Sequence, residues 1–518
     1  MRGALHSISP PEDQRPLLRV IAGQLPDIAD KAERILIDQA IGYRRGTSLV
    51  RVVTLEGAGT QRDGIKRADG ASVIVPFERH ALIDALTRAA RVEKFDGRSE
   101  NWKQTDCPSA LAEVVIARLG ANFPALNAVV SSPTIRADGT LIEKPGYDAA
   151  TGILFQTGIK WPAVPEHPTQ QDALAALDLL TRPIRNFPYV SDADRSAALA
   201  MILTALVRPC LPTAPLFGVT APTPGTGKSF LVDFAAILAT GTTTPVVAAS
   251  GSDEELEKRI GAALMAGDTV LSLDNVERPL RSDFLCQILT QESVKLRVLG
   301  QSRNLDLPTR VMMVATGNSL RFAGDLVRRV VLIRLDAGVE RPEERSFDFD
   351  PRAWARRDRA KLVVAALTIL RAFVVSGASP VRPALGGFAE WSNLIRSAIV
   401  WLGLPDPLSN ADRVRTDDPE RERNSAILSA LPSEPWTAQE IARRVDVAKG
   451  YDVARAYGDV PDQDLIDALS DFIGRDGRLD KRGFGNWCRK HRDRIIDGKR
   501  LIQAGLNSHT KVIRWQIV

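Results

Sequence analysis

The sequence predicts an α/β protein with a parallel sheet at its centre that is covered by helices. From residue 216 to about residue 375, short apolar strands alternate with helical periods, which is typical of strands joined by crossover helices. A glycine-rich turn separates the first of these strands from a helix. The chain has 518 residues, too many for one hydrophobic core, so we expect several domains.

Composition limits the classes of protein to which the chain can belong. The 44% hydrophobic and 25% charged residues are typical of soluble globular proteins, and a net charge of +5 is too mild to identify a nucleic-acid binder. The four cysteines contain no Cys-x-x-Cys pair, which argues against a zinc site. Because the sequence has neither an apolar signal core nor an apolar run long enough to cross a bilayer, we expect a cytoplasmic location.

Four regions are expected from changes in pattern along the chain. A proline-rich linker at 161–170 and a charged, polar stretch at 411–423 separate them, because such segments seldom continue a helix or strand. The predicted regions are an N-terminal α+β domain at 1–165, a core with leading helices at 166–376, a helical lid at 377–410 and a small C-terminal domain at 420–518.

The strongest motif is the segment LFGVTAPTPGTGKSFLVDFAAIL, an apolar strand, a glycine-rich turn and an amphipathic helix. It is typical of a Walker A loop, in which backbone N–H groups cradle phosphates, Lys228 reaches the β- and γ-phosphates and Ser229 binds Mg²⁺. Pro222 stands where the first glycine of the motif is expected. The predicted nucleotide-binding residues of this segment are Pro224, Gly225, Thr226, Gly227, Lys228, Ser229 and Phe230.

A second apolar run, TVLSLD, ends in Asp274. An aspartate at the carboxyl end of a strand next to a Walker A loop is placed to hold Mg²⁺ through water. A helix-capping aspartate after a buried strand is the alternative. We therefore predict ATP and Mg²⁺ as cofactors, with Ser229 and Asp274 as the residues that hold the metal.

The identity of the catalytic base is less well defined by the sequence. Asn275 follows Asp274, and an amide cannot accept a proton. Glu254 and Glu255, in the acidic start of a helix before the Asp274 strand, and Glu277 are the candidates, and we favour Glu254 or Glu255. Acidic residues in a first helical turn are also common simply because they complement the helix dipole.

Three further polar residues are expected to contact the nucleotide. Asn318 ends the strand RVMMVATGN, where its amide would hydrogen-bond the γ-phosphate or the attacking water. Arg328 and Arg329 follow in a short helix, where one of them would reach a neighbouring subunit's ATP as an arginine finger. The other would be a surface residue. Arg396 would either fold back on the phosphates or remain a solvated helix residue.

Two basic segments are expected to contact DNA. The segment VKLRVLGQSRNLDLPTR predicts a β-hairpin with Lys295, Arg297 and Arg303 near its tip. The hairpin would either line a channel and contact nucleic acid there or be a surface hairpin with solvated charges. The C-terminal domain predicts helices followed by a two-stranded ribbon, the pattern of a winged helix that binds DNA or only protein. In the C-terminal domain, the residues predicted to contact DNA phosphates are Lys481, Arg482, Arg489, Lys490 and Arg492.

Together, the segments APTPGTGKS, VLSLDNV, LRVLGQS, VATGNSLRFAGDLVRRVVLIRLD, ERPEERSF and FAEWSNLIRSAIVWLGLPDP resemble the helicase part of phage and plasmid primase–helicases and the MCM-like replicative helicases of staphylococcal cassette elements. This resemblance implies an α/β fold with an AAA+ P-loop ATPase core, an N-terminal α+β domain, a helical lid and a C-terminal winged-helix domain. It implies an ATP-driven DNA helicase of a mobile element that forms rings, expected to be homo-hexamers, with single-stranded DNA in the channel.

Some members of the family carry a primase with paired metal-binding aspartates. The best such pair here, Asp192 and Asp194, follows no clear strand, so we expect it to cap a helix and expect no primase activity. The alternative function is a DNA-binding AAA+ switch or remodelling ATPase that does not unwind DNA.

Overall fold

The computed structural model describes residues 13–57, 59–60, 65–248, 252–297, 304–345, 349–448, 463–506 and 512–518. The chain divides into two compact units. The first comprises residues 1–278, 282–320 and 329–411, and the second comprises residues 279–281, 321–328 and 412–518. In the described part of the chain, no helix is both long and apolar enough to span a bilayer.

The N-terminal third of the chain is a mixture of short strands and three helices. It forms the sheets β1-β7-β8, β2-β3-β6 and β12-β13-β9 and the pair β10-β11. Helices α1, α2 and α3 supply most of the apolar side chains in one core that also includes Leu18 and Val92. The elements are β1 Leu17–Val20, α1 Leu25–Asp38, β2 Tyr43–Arg45, β3 Ser48–Thr54, β4 Gly59–Thr60, β5 Lys66–Arg67, β6 Ser72–Pro76, α2 Arg79–Ala89, β7 Arg91–Asp96, β8 Asn101–Gln104, α3 Ser109–Ala117, β9 Ala128–Val130, β10 Thr134–Ile135, β11 Leu141–Ile142, β12 Gly146–Asp148 and β13 Ile153–Phe155.

The centre of the chain is the predicted α/β region, and its strands and helices alternate as expected. Short 3₁₀ turns at Arg182–Ile184, Arg208–Cys210, Gly324–Arg329 and Pro342–Glu344 and a π-helical turn at Ser392–Arg396 interrupt the sequence of elements. The elements are α4 Gln170–Thr181, α5 Asp192–Val207, β14 Leu216–Ala221, α6 Lys228–Thr240, β15 Val246–Ala248, α7 Asp253–Ala266, β16 Val270–Asp274, α8 Asp283–Thr290, β17 Ser293–Arg297, β18 Asn304–Pro308, β19 Met312–Asn318, β20 Val330–Arg334, α9 Pro351–Arg357, α10 Arg359–Val375, α11 Ala389–Trp391 and α12 Ser397–Trp401.

A seven-stranded sheet in the order β20-β14-β19-β16-β15-β5-β4 forms the framework of this region. The first five strands are parallel and almost wholly apolar, because helices bury both faces of such a sheet. Strand β14, the first of the five in the chain, lies between the last two, β19 and β20. The carboxyl ends of all five therefore meet at one edge, where polar groups can converge.

Residues from the N-terminal third extend this sheet. Strand β5 pairs antiparallel with β15 through Lys66 and Val246. Next to it, Asp268 accepts hydrogen bonds from Arg67 Nε at 3.0 Å and Nη2 at 2.7 Å, and both side chains are buried. The N-terminal third thus belongs to the same compact unit as the central sheet, while the predicted domain boundary at residue 165 stays a prediction.

The sequence predicts that Asp192 and Asp194 cap a helix; they lie in the first turn of α5, but neither is its cap residue. The cap itself is Ser191, whose hydroxyl accepts from the Asp194 backbone N–H. The fully buried Asp194 carboxylate accepts hydrogen bonds from the Arg334 guanidinium and from the Asn410 amide. Asp194 is therefore committed to contacts within the fold.

The second unit has its own apolar core between helices and a three-stranded antiparallel sheet, β21-β22-β23. Trp436, Phe484 and Trp487 stack in succession, with ring centroids 5.7 and 6.0 Å apart. The predicted basic helix begins after the Asp480 cap and ends at His491. The elements are α13 Ala411–Thr416, α14 Pro419–Ala430, α15 Ala438–Ala448, α16 Gln463–Ala468, a 3₁₀ turn Ser470–Phe472, α17 Lys481–His491, β21 Ile495–Ile496, β22 Lys499–Leu506 and β23 Ile513–Ile517.

The buried ion pair between Arg67 and Asp268 allows a direct test of how firmly β5 is held. Asp268→Ala should lower the stability of the first unit by about 3 kcal/mol, since removing one partner of a buried pair leaves a desolvated charge behind. The urea midpoint of unfolding measures this effect. As a control, Asp84→Ala removes the exposed i,i+4 partner of Arg88 and should cost only about 0.3–0.5 kcal/mol. Equal midpoints for the two variants would contradict the role assigned to the buried pair.

Candidate functional site

The glycine-rich loop joins the end of β14 to the start of α6. Gly225 and Gly227 have φ values of +75° and +102°, a left-handed backbone that glycine adopts without a clash at Cβ. Gly227 is the N-cap of α6 and Lys228 its first residue, so the unpaired N–H groups of the first helical turn face the loop. A Thr226 hydroxyl bond to the Thr223 carbonyl at 2.8 Å closes the turn. This backbone is suited to hold an anion.

The Lys228 ammonium lies between the loop and the end of a neighbouring strand. Its Nζ donates to Asn318 Oδ1 at 2.7 Å and to the Thr223 carbonyl at 3.3 Å. Asn318 is the last residue of β19 and is in register with Ala221, the last residue of β14. Burial lowers the pKa of Lys228, and the nearby Asp274 carboxylate opposes that shift. The structure therefore brings together Lys228, Asn318 and Asp274 at the carboxyl edge of the sheet.

Asp274 is held at this edge by the adjacent strand. It ends β16, and its Oδ1 accepts a hydrogen bond of 2.5 Å from the buried Thr316 hydroxyl of β19. The chain then turns through Asn275, which has a φ of +54°. A Cβ on Gly317 would lie 2.5 Å from the Val276 carbonyl oxygen, so only glycine allows this turn to cross β19. The position of Asp274 and the turn after it thus depends on two residues of β19, Thr316 and Gly317.

The donors available to a metal here are oxygen atoms. Ser229 lies exposed in the first turn of α6, and the Asp274 carboxylate is partly exposed at the end of β16. Within the described residues, no group of three or more His, Cys, Asp or Glu side chains could hold a metal ion. Two oxygen donors fit Mg²⁺, which retains several waters and takes further oxygens from bound phosphates.

The three candidate carboxylates lie around the same edge. Glu255 is in the first turn of α7, where its Oε1 accepts from Arg259 Nε at 3.1 Å, and Glu254 beside it is exposed. Arg259 also donates to the carbonyl of Ala248, the residue in register with Asp274. Glu277 accepts from the Asn275 amide at 2.9 Å. Glu254 and Glu255 therefore lie in the helix between β15 and β16, and Glu277 lies three residues after Asp274.

A cavity of about 800 Å³ opens beside the glycine-rich loop. The sequence identified only Gly225, Thr226, Gly227 and Phe230 among its lining residues. The rest of the lining comes from segments before β14 and after β20. It includes four prolines and the aromatic and charged residues Phe187, Glu343, Arg345, Phe349, Asp350 and Arg352. The sequence signals that could have indicated these residues are the aromatic and proline residues of RNFPYV and FDFDPR and the segment ERPEERSF, which contains Glu343.

Three close contacts among the lining residues define the shape of the cavity. The Arg352 guanidinium lies 3.8 Å from the ring centroid of Phe230. The position of a Cβ on Gly227 is 3.2 Å from the Phe187 ring, and that on Gly225 is 3.0 Å from the Glu343 side chain. Phe187 and Phe230 therefore lie close to the glycine-rich loop in the lining of the cavity.

The two candidate finger arginines differ in exposure. Arg329 is only 8% exposed. Arg328 is exposed and forms an ion pair with Asp325 at 2.5 Å, with 58% of its own side chain accessible. A residue that acts on a neighbouring subunit must extend from the surface, so the geometry favours Arg328 over Arg329.

Arg396 is not brought to the loop. It is buried, its guanidinium donates to both carboxylate oxygens of Asp406, and its Nη1 donates to the Pro383 carbonyl at 2.6 Å. These bonds occupy the guanidinium within the first unit, so Arg396 is not a solvated residue. A contact with phosphate would require it to leave these partners.

The predicted hairpin is present as the antiparallel pair β17-β18. Val294, Leu296, Leu305 and Leu307 form its buried face. Lys295 and Arg297 are exposed on the opposite face. Arg303 and the turn lie outside the described residues.

The predicted C-terminal cations all lie on or just after α17. Its buried residues are Phe484, Trp487, Cys488 and His491, which orients the remaining positions outward. The exposed cations are Lys481, Arg482, Arg489, Lys490 and Arg492. The structure thus presents all five basic side chains to solvent.

Comparison with known proteins gives only distant structural similarity. No family model matches the chain, and no curated protein matches it. The apo C-terminal region of NrS-1 (residues 305–718) overlaps 94% of this chain and 98% of its own length, with 11% identity and a TM-score of 0.34. The A form of that region has 10% identity and a TM-score of 0.33, covering 86% and 84% of the two chains. JCV helicase has 13% identity and a TM-score of 0.21, covering 48% and 73%. At TM-scores this low, the overlaps do not establish a shared fold.

Proposed function

We propose that this chain is a P-loop ATPase of the AAA+ type that works as a ring-forming DNA helicase. The observation that carries the proposal is the convergence of Lys228, Asn318 and Asp274 beside a glycine-rich loop at the carboxyl edge of a parallel sheet. A cation, an amide and a carboxylate at this position suit a nucleoside triphosphate with Mg²⁺. The family resemblance of the motifs extends the proposal to a homo-hexamer that replicates a phage, plasmid or genomic island.

Each group in the site then has a defined task. Backbone N–H groups from Gly225 to Ser229 bind the phosphates, and Lys228 neutralises the β- and γ-phosphates. Ser229 and Asp274 would hold Mg²⁺, which would supply charge neutralisation at the phosphates. Asn318 positions the γ-phosphate or the attacking water. Pro224 and Phe230, with the aromatic residues of the adjacent cavity, border the nucleoside.

The finer assignments of the fold also belong to this proposal. The strand order β20-β14-β19-β16-β15 supports an AAA+ core with residues 377–410 as its lid. The antiparallel ribbon after α17 supports a winged helix. For the catalytic base we propose Glu254 or Glu255, since Asn275 cannot take a proton, and we propose Arg396 as a lid contact that forms only when Asp406 releases it.

Replacing Lys228 tests the nucleotide site most simply. Lys228→Ala should lower ATP turnover by at least about a hundredfold, because it removes the cation that meets the transferred phosphate. Steady-state phosphate release measures the rate, and circular dichroism verifies the fold. Lys31→Ala, an exposed lysine on α1, is the matched control and should turn over ATP like the wild type. If Lys228→Ala does so too, the loop is not the hydrolytic site.

Replacing Arg328 tests whether this residue acts on the nucleotide of a neighbouring subunit. Arg328→Ala should lower kcat of the assembled protein by about a thousandfold, the usual cost of losing a finger, yet leave nucleotide binding unchanged. Arg88→Ala removes an exposed, ion-paired arginine elsewhere and serves as the control. Mixing Arg328→Ala with Lys228→Ala should restore part of the activity, because one mixed interface carries both intact residues. No recovery in mixed assemblies of unchanged size would contradict a role in trans.

Two surfaces are proposed to meet DNA in different ways. Lys295, Arg297 and Arg303 on the hairpin would grip single-stranded DNA in the channel, while the cations of α17 would hold duplex DNA by its phosphates. The exposed positions of Lys295 and Arg297 and of the α17 cations support this division.

The charge-reversed double variant of α17 tests the duplex contact. Arg489→Glu with Lys490→Glu should weaken duplex binding and reduce the slope of log K against log salt by about 2, because fewer counterions are released. Fluorescence anisotropy over a salt series measures both quantities. Arg413→Glu with Arg415→Glu, on α13 of the same unit, gives the same change of net charge and should alter the slope less. Equal slopes for the two double variants would remove α17 from the DNA contact.

A further inference from the structure

The sheet β1-β7-β8 has one buried face and one exposed face. Leu18 and Val92 point into the core formed with helices α1, α2 and α3. Because side chains alternate along a strand, Arg19, Glu93 and Phe95 lie on the other side. Trp102 is in register with Phe95 and shares that side. We call Leu17, Arg19, Arg91, Glu93, Phe95, Trp102 and Gln104 the outer face.

Two aromatic rings and a guanidinium are in contact with one another on the outer face. Phe95 and Trp102 form an edge-to-face pair with centroids 5.6 Å apart. Arg19 lies over the Trp102 ring, with its Cζ 4.6 Å from the centroid. Phe95 is nevertheless 49% exposed. Phe95 lies just beyond Lys94, the last residue of β7 that pairs with β1, so its open ring surface beside Trp102 and Arg19 is available for contact.

The charge of this surface suits a polyanion. Among the seven residues of the outer face, Arg19 and Arg91 are cationic and Glu93 is anionic, so the face carries a net positive charge. Glu93, the acid of the outer face, accepts a hydrogen bond from Arg19 Nε at 3.3 Å. It also forms an ion pair with Arg91, whose Nε lies 3.3 Å from Oε1 of Glu93, so it holds both guanidinium groups on this face. Lys94 and Lys103 are also exposed, but they alternate with Glu93, Phe95 and Trp102 and therefore lie on the opposite side of β7 and β8, where Lys103 pairs with Asp96.

We propose that the outer face binds single-stranded DNA. An unpaired base would stack on Phe95 next to Trp102, and the flanking phosphates would meet Arg19 and Arg91, the combination of aromatic and cationic groups that sequence-tolerant single-strand binding requires. The bases of a duplex are already stacked on one another and offer no free ring surface. The outer face therefore discriminates single strands from duplexes. This binding requires neither nucleotide hydrolysis nor the glycine-rich loop at Lys228.

The test uses the full-length chain without nucleotide and a fluorescein-labelled oligo-dT of about 20 nucleotides, long enough for one site. Phe95→Ala should raise Kd about tenfold, in line with the loss of one stacked base, while Phe95→Trp, which keeps a ring, should bind like the wild type. Duplex of the same length should bind Phe95→Ala and wild type equally. Arg79→Ala, on α2 of the same region, and Ile159→Ala, at an exposed apolar residue, are surface controls and should bind oligo-dT like the wild type.

Three results would overturn the proposal. An unchanged Kd for oligo-dT in Phe95→Ala would show that bases do not stack there. Equal weakening for single-stranded and duplex DNA would show general damage instead of base recognition. If Phe95→Ala dissociates an assembly in light scattering without changing the oligo-dT Kd, the face binds a second copy of the chain. Basal ATP hydrolysis should be unchanged in every variant, so these outcomes are distinct from failure of the proposed ATPase.

Discussion

The bond between Lys228 Nζ and Asn318 Oδ1 is the interaction on which the rest of the central region depends. It requires β19 to end beside the glycine-rich loop, and the parallel register of β14 with β19 places Asn318 opposite Ala221. The same strand supplies Thr316 to orient the Asp274 carboxylate. One buried strand thus aligns an amide, an ammonium and a carboxylate, and small shifts of β19 would disturb all three groups together.

The N-terminal third contributes to this alignment. Arg45 donates to the carbonyls of Leu126, Asn127 and Leu264, and full burial lowers its pKa to about 10. Arg67 binds Asp268 just before β16. These buried cations connect the first strands of the chain to the helix and strand that precede Asp274. Any movement of the N-terminal third relative to the sheet would therefore disrupt several desolvated hydrogen bonds.

Sequence reasoning identified the features that depend on local order and missed those that depend on distant pairing. The β14, loop and α6 succession, the β17-β18 hairpin and the ribbon after α17 are confirmed, because each is set by neighbouring residues. The pairing of Lys66 with Val246 and the lining of the cavity by Phe187 and Arg352 join segments far apart in the chain, which no local period encodes. Burial of Arg396 against Asp406 likewise depends on tertiary packing.

The rate of ATP hydrolysis with and without single-stranded DNA, on material sized by light scattering, tests the central claim most directly. If the chain is a DNA-translocating AAA+ ATPase, hydrolysis should require Mg²⁺, and the assembled form should be stimulated about tenfold or more by single-stranded DNA, because the strand engages the moving hairpins. A rate that is indifferent to DNA in the assembled form would contradict translocation and favour a switch or remodelling ATPase. The absence of any hydrolysis would contradict the nucleotide site itself.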